Sequence, residues 1–252
     1  MKTSLSIVYL FLILLFASCE DKESSSKNKS ETTSENNVSG TKASKLDSLK
    51  AKYAKKEEIA LQNEEEVDDR FPIPQEQLIP FLTQYGKENP ENRVRIITSF
   101  GNIEVTLYRD TPLHRANFIM LVKKGYFNNT FFHRVAPGFV IQGGNSDNVA
   151  TPRKRSEIGD YLIPSEFGAG HKHTYGAFSA AKYSEQNVSK ASSPFEFFIV
   201  MDENGTPHLN NDHTVFGRVT KGMEVAEKIA RVKTGQSEWP IDNVEMDIEI
   251  ID

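Results

Sequence analysis

Apolar and polar positions divide the chain into stretches of different character. Leu5 to Ala17 is an apolar run, preceded by Lys2 and followed by Ser18-Cys19. A basic start, an apolar core too short to span a bilayer comfortably and small residues at its end make a secretory leader pattern. From Glu20 to about Lys45 almost every position is polar, a composition that cannot bury enough surface to offset chain entropy and predicts a flexible tether. Leu46 to Val67 favours helix, with Leu46, Leu49, Tyr53, Ala60 and Val67 near heptad positions and no Gly or Pro. Lys56 and Asn63 interrupt that stripe, so the pattern predicts a surface helix or spacer rather than a coiled coil. Glu64-Glu65-Glu66 and Asp68-Asp69 form an acidic cluster of the kind found on solvated faces. Pro72, Pro74 and Pro80 punctuate the next stretch, and Gln75 to Tyr85 reads as a short helix leading into a domain.

Near Arg93 the period changes to two. Val94, Ile96 and Thr98 alternate with Arg95 and Ile97, and after Phe100-Gly101 the alternation resumes through Ile103, Val105 and Leu107, which predicts an antiparallel hairpin. Thr111-Pro112 offers an N-cap with proline at the first helical position. Leu113, Ala116, Phe118, Ile119 and Val122 continue at helical spacing, and Gly125 supplies a stop. Gly143 to Gly176 reads as irregular, with Pro152, Pro164 and the run Arg153-Lys154-Arg155 expected in a solvated loop. Strands are expected at Gly176–Ala181, Phe195–Val200 and His213–Val219, a helix at Met223–Arg231, and a last strand in which Val244, Met246, Ile248 and Ile250 alternate with acidic residues. Many strands with few helices and no regular βα alternation predict an antiparallel barrel or sandwich.

Between these elements lies Phe131-Phe132-His133-Arg134-Val135-Ala136-Pro137-Gly138-Phe139-Val140-Ile141-Gln142-Gly143-Gly144. If Phe132 to Val135 is extended, Phe132 and Arg134 share a face and His133 and Val135 take the other. Val140 and Gln142 form one face of a second strand, which a Pro-Gly turn brings back toward Arg134. By spacing alone this is a hairpin with an arginine facing solvent.

Composition sharpens the picture at a few points. A formal net charge of −5 and a pI near 5.8 argue against a nucleic-acid binder. The one cysteine, Cys19, excludes an intramolecular disulfide, and Leu15-Phe16-Ala17-Ser18-Cys19 resembles a bacterial lipoprotein processing site. There Cys19 takes a lipid and becomes the new N-terminus, and a multiply acylated cysteine holds a protein on a membrane. The expected organisation is a leader over 1–18, a lipid-anchored tether over 19–45, a helical extension over 46–90 and a compact domain over 91–252. His171 and His173 have a spacing possible for metal ligands, but no carboxylate or cysteine cluster accompanies them, so no metal and no cofactor are expected.

The hairpin with its Thr-Pro helix, Phe132 to Gly144, Gly176 to Ala181, Phe197-Phe198-Ile199, and Leu209 through His213 to Phe216-Gly217 occur in one order. In that order they resemble the signature of the cyclophilin-type peptidyl-prolyl isomerases, over roughly residues 93 to 252. The resemblance implies a mainly β fold, a closed eight-stranded antiparallel barrel capped by two α-helices, with proline-containing polypeptides held in a groove on its outside. Arg134 would be the cation that stabilises the twisted X-Pro amide, and Gln142 would hold it in place. Phe132, Phe139, Phe198 and Leu209 would form the apolar pocket, with Val140 beside Gln142. His133 and His213 would line it, and Ala180, Ala181 and Lys182 would border it.

Three positions depart from the family pattern. Glu196 stands where a glutamine is usual, so it would anchor or partly neutralise Arg134. This keeps open a module that binds proline peptides with weak or no turnover. His208 replaces an aromatic beside the groove, and Asn210-Asn211 replaces an Asp-Gly turn that asparagine can also form. Together with the leader, these features imply an isomerase of the bacterial cell envelope that assists folding of exported proteins, with residues 46–90 as a spacer or an arm for other envelope proteins.

Overall fold

The computed structural model describes residues 70–183 and 189–252. The leader, Cys19, the tether and residues 46–69 lie outside the described residues.

Eight antiparallel strands close into a barrel. They are β1 (Arg93–Thr98), β2 (Gly101–Leu107), β3 (Thr130–Ala136), β4 (Val140–Asn145), β5 (Ala177–Ala180), β6 (Phe197–Val200), β7 (Val215–Lys221) and β8 (Glu245–Ile250). Their order around the barrel is β1-β2-β7-β5-β6-β4-β3-β8. The alternation in the sequence becomes an inside and an outside: Val94 and Ile96 of β1, Ile103 and Val105 of β2, and Met246 and Ile248 of β8 are all buried. Aromatic rings fill the interior. Phe178 packs on Phe197 with centroids 4.7 Å apart, and Phe118 meets Phe178 edge-on at 5.3 Å. The barrel therefore has no empty lumen for a peptide, and a binding groove has to lie outside it.

The helices are α1 (Leu78–Glu88), α2 (Pro112–Lys123), α3 (Ala150–Ile158) and α4 (Met223–Ile229). Every residue of α2 from His114 to Val122 is buried, because one side covers the barrel and another receives α1. Leu78 and Leu82 of α1 belong to the same apolar cluster as the barrel interior, and so does Ile73. A Cβ at Gly86 would come within 3.1 Å of Ala116 Cβ, so glycine lets the two helices approach closely. Arg115 donates to the carbonyls of Gly86, Asn89 and Glu91, which satisfies the C-terminal end of α1 with a charged partner. The boundary expected at residue 90 thus falls inside the compact body, which takes in residues 70–90.

Two local expectations change. Thr111 does not cap α2; its hydroxyl donates to Tyr108 O instead. The cap comes from far along the chain. The Glu166 carboxylate accepts from Leu113 N and His114 N, each at 3.0 Å, and lies 2.6 Å from His114 Nδ1. An acidic group at a helix N-terminus is favoured by the free N–H groups and by the dipole. The region read as irregular contains α3. Pro152 sits in its first turn, where no intrahelical N–H is needed. Arg153-Lys154-Arg155 is therefore not a solvated loop. Arg153 pairs with Glu157 at the surface, Lys154 donates to Gly125 O beyond the end of α2, and Arg155 turns inward.

Candidate active site

The β3–β4 hairpin that carries the site has two offsets in register. Phe132 pairs with Gly143 and Arg134 with Gln142, so His133 is an extra residue on β3, while Gly144 is passed over on β4. Gly144 has φ +97°, and a Cβ there would lie 2.2 Å from Phe195 O, so only glycine fits. The extra residue on β3 changes the phase of the strand. Phe132 and Val135 both point into the barrel cluster, and Arg134 points out. Phe132 and Arg134 do not share a face, and Phe132 is core rather than pocket wall.

Arg134 lines an open groove of about 210 Å³ with Phe139, Val140, Gln142, Ala181 and Lys182, and with Phe198, Leu209 and His213 across from them. The floor is a second apolar cluster on the outer face of the barrel, containing Val140, Ala181, Phe198 and Val215 with Phe139 and Leu209 against it. The Arg134 guanidinium lies 5.9 Å from the Phe139 ring centre. His208 stacks on Phe139 at 5.7 Å, an exposed shelf on the outer side of that ring. His213 meets Phe198 edge-on at 5.3 Å, and its Nδ1 lies 3.1 Å from Ala180 O. Burial holds the His213 imidazole below its usual range, so the groove wall is neutral there at pH 7. Ala180 contributes only this carbonyl; its side chain belongs to the barrel cluster. The Lys182 ammonium pairs with Asp212 at 2.8 Å, which pulls the Asp212 carboxyl below the usual carboxylate range.

The polar partners of the hairpin differ from expectation. Gln142 does not hold Arg134; its Nε2 donates to Glu196 Oε2 at 3.0 Å. Glu196 does not pair with Arg134 either. It lies behind Gln142, where Arg155 donates to Oε1 at 3.0 Å and His133 Nε2 approaches Oε2 at 3.5 Å. His133 therefore faces Glu196 and Trp239 rather than lining the groove. The reason is again the offset at His133, which turns that ring away from the Arg134 side. The anion on Arg134 is Glu238, whose Oε2 accepts from Arg134 Nε at 2.6 Å. Glu238 and Arg155 had no local sequence signal, since each meets its partner only through the tertiary fold. His171 and His173 do not converge on one point: His171 approaches Asp110, and His173 is buried against Asn210 and Ser179.

The arrangement offers the Arg134 guanidinium beside a solvent-accessible apolar pocket, with a neutral imidazole and an amide around it and the Lys182 ammonium held on Asp212 at the border. It can hold a small aliphatic ring against Phe139, Phe198 and Leu209 and direct N–H groups at an atom next to that ring.

Comparison with known proteins gives the same picture. The family model described as cyclophilin type peptidyl-prolyl cis-trans isomerase/CLD matches residues 93–249. The chain is 37% identical over 150 residues to peptidyl-prolyl cis-trans isomerase-like 1 of Aspergillus fumigatus, covering 59% of this chain and 88% of that protein. It is 37% identical over 155 residues to peptidyl-prolyl cis-trans isomerase A of Dickeya dadantii, covering 60% and 77% respectively. Crystal structures of a cyclophilin type isomerase of Cryptosporidium parvum, one of them in the presence of the dipeptide Ala-Pro, superpose with TM-scores of 0.56 and 0.54 at 30% identity. Each covers 64% of this chain, against 98% and 99% of the parasite protein. With its closed barrel, its hairpin cation and this match over most of the compact body, the chain belongs to the cyclophilin-type peptidyl-prolyl cis-trans isomerase family.

Proposed function

We propose that the groove rotates X-Pro bonds of exported polypeptides at a bacterial membrane surface, with Arg134 acting on the prolyl nitrogen. The observation that carries the chemistry is that the Arg134 guanidinium and the Phe139–Phe198–Leu209 pocket share one groove. Rotation about an X-Pro bond has a barrier of about 18–20 kcal/mol because amide resonance must be broken, and uncatalysed it takes tens of seconds or more. No bond is made or cut, so catalysis requires tighter binding of the twisted amide than of either planar form. In the twisted amide the nitrogen regains a lone pair, and a preorganised N–H donor stabilises it. Arg134 commits its Nε to Glu238, which leaves the terminal nitrogens for the substrate. The proline ring fills the apolar pocket, and the neutral His213 wall does not compete for the lone pair.

Glu196 raised the reading of a binding module without turnover. Its carboxylate is engaged by Arg155, His133 and Gln142, so it does not neutralise Arg134. Glu238 does contact Arg134, but both side chains are more than a third exposed, and such pairs are weak and displaceable. A cis/trans assay on a short X-Pro peptide tests the activity, and a rate equal to background removes it.

The membrane setting is supported by the run Leu5–Ala17 and by Cys19 after small residues. The polar stretch to Lys45 would place the catalytic body away from the lipid, within reach of emerging chains. Residues 46–69 would extend that reach or meet other envelope proteins. Intact mass of protein extracted from membranes tests the anchor: an acylated Cys19 supports it, and an unmodified thiol removes it.

A further inference from the structure

Glu196 is nine-tenths buried and stands directly behind a groove residue. Its Oε2 accepts from Gln142 Nε2, and its Oε1 accepts from Arg155. Arg155 is brought there by α3, and it is held by more than the carboxylate. It donates to the hydroxyls of Tyr126 at 2.9 Å and Tyr183 at 3.2 Å, and its guanidinium lies 5.2 Å from the Phe195 ring centre. An ionised carboxylate only accepts hydrogen bonds, whereas an amide side chain both donates and accepts. Gln142 must therefore present its NH2 to Glu196. Its carbonyl oxygen then takes the other side of the amide, toward the groove that it lines with Arg134, its register partner across the two strands. An uncharged group at position 196 would not impose that choice.

We propose that Arg155 is a positioning residue of the isomerase groove: its pair with Glu196 fixes the Gln142 amide, with the NH2 turned inward and the carbonyl turned toward Arg134 and the substrate. This rests on the isomerase reading of that groove. The charged and titratable groups facing Glu196 are Arg155 from α3, His133 from β3, Tyr126 before β3 and Tyr183 after β5. Burial pushes the Glu196 carboxyl up, but His133 and Arg155 together bring it below the usual carboxylate range. Without Arg155 one of the two groups that draw the carboxyl down is gone while the burial stays. The carboxyl then holds a proton to higher pH, becomes a donor itself, and releases the Gln142 amide to turn over.

The test uses the full chain and its Arg155→Met, Arg155→Lys and Arg155→Met/Glu196→Gln variants in the X-Pro assay across pH. Side-chain amide resonances of Gln142 are followed in parallel by 15N NMR. Arg155→Met should lose about tenfold in kcat/KM toward acid pH, mostly in kcat, and recover as pH rises. Its Gln142 resonances should move over the same range, while those of the wild type stay in place. Arg155→Lys keeps the charge and should retain most of the activity. The double variant removes both the titrating carboxyl and the anion that orients Gln142, so its loss should be about the same at every pH and its Gln142 resonances should not titrate. A pH-independent loss in Arg155→Met, or Gln142 resonances that stay in place across pH in that variant, assigns Arg155 a structural role and overturns the proposal. Wild-type activity that is unchanged in Arg155→Met overturns it too. A wild type without turnover defeats the isomerase reading, and the Gln142 resonances then decide the positioning of the amide by themselves.

Discussion

Arg134 Nε donates to Glu238 Oε2 across 2.6 Å, although 104 residues separate the two in the chain. Glu238 reaches this place from the turn before β8, where it has φ +60° and its carbonyl accepts from Val135 N. The carboxylate orients the guanidinium and also draws on its charge. Glu238→Gln should raise kcat/KM at low salt by about twofold to fivefold, the range of an exposed ion pair. The gap should close at high salt, where surface charges are screened. Equal rates at low salt would show that the pair has no influence on the groove.

Arg134→Ala should lower kcat/KM by about a hundredfold, the size expected for removing one preorganised donor to a developing charge. Arg134→Lys should not restore it, because an ammonium lacks the planar fork that serves Glu238 and the substrate together. Both variants should keep the wild-type melting temperature, since Arg134 stands on the outer face. A variant with undiminished turnover would move the chemistry to another residue.

Glu196→Gln replaces the carboxylate by the residue usual in the family. It leaves the Arg155 guanidinium, whose side chain is only 21% exposed, without its anion. The expected result is a loss of about 2 kcal/mol in stability, measured by urea denaturation. If the variant is as stable as the wild type, the tyrosine hydroxyls and Gly144 O alone satisfy Arg155.

His173 gives the fold a pH dependence. It is buried against Phe198 and hydrogen-bonded to Asn210 and Ser179, and burial lowers its pKa to about 4, against the opposing pull of the Asn210 hydrogen bond. The unfolded chain binds this proton at higher pH than the folded one. Stability is therefore complete above about pH 6.5 and falls toward about pH 4, by up to about 1.4 kcal/mol per pH unit. Denaturation midpoints measured at successive pH values check this, and His173→Asn should flatten the slope. An equal slope in the variant would place the titration elsewhere, with His213 the next group to test.

Alternation and helical spacing made most of the barrel legible. β1, β2 and β8 lie where hydrophobic periodicity put them, because each has one face on a filled interior and one on solvent. Arg134, Phe139, Val140, Gln142, Phe198, Leu209 and His213 do meet in one groove. The misplaced residues share a cause. Strict period two misassigns Phe132 and His133, because one extra residue in the pairing reverses them. α3 escaped because its buried residues are only Thr151 and Ile158, so it carries almost no apolar stripe. Glu238 on Arg134 and Arg155 on Glu196 join segments that are distant in the chain, and no local pattern records such contacts.

The offset at His133 has a further meaning for how the site is assembled. A regular strand lacking that residue would still send Phe132 inward, Arg134 outward and Val135 inward. The barrel and the proline groove do not need His133 for their geometry. What the surplus residue adds is an imidazole aimed at Glu196, in the layer that also holds Arg155 and Gln142. Behind the catalytic surface there is thus a second tier, which the hairpin meets at the inserted His133 and at Gln142. Its charges reach the groove through the Gln142 amide rather than through the course of the strands.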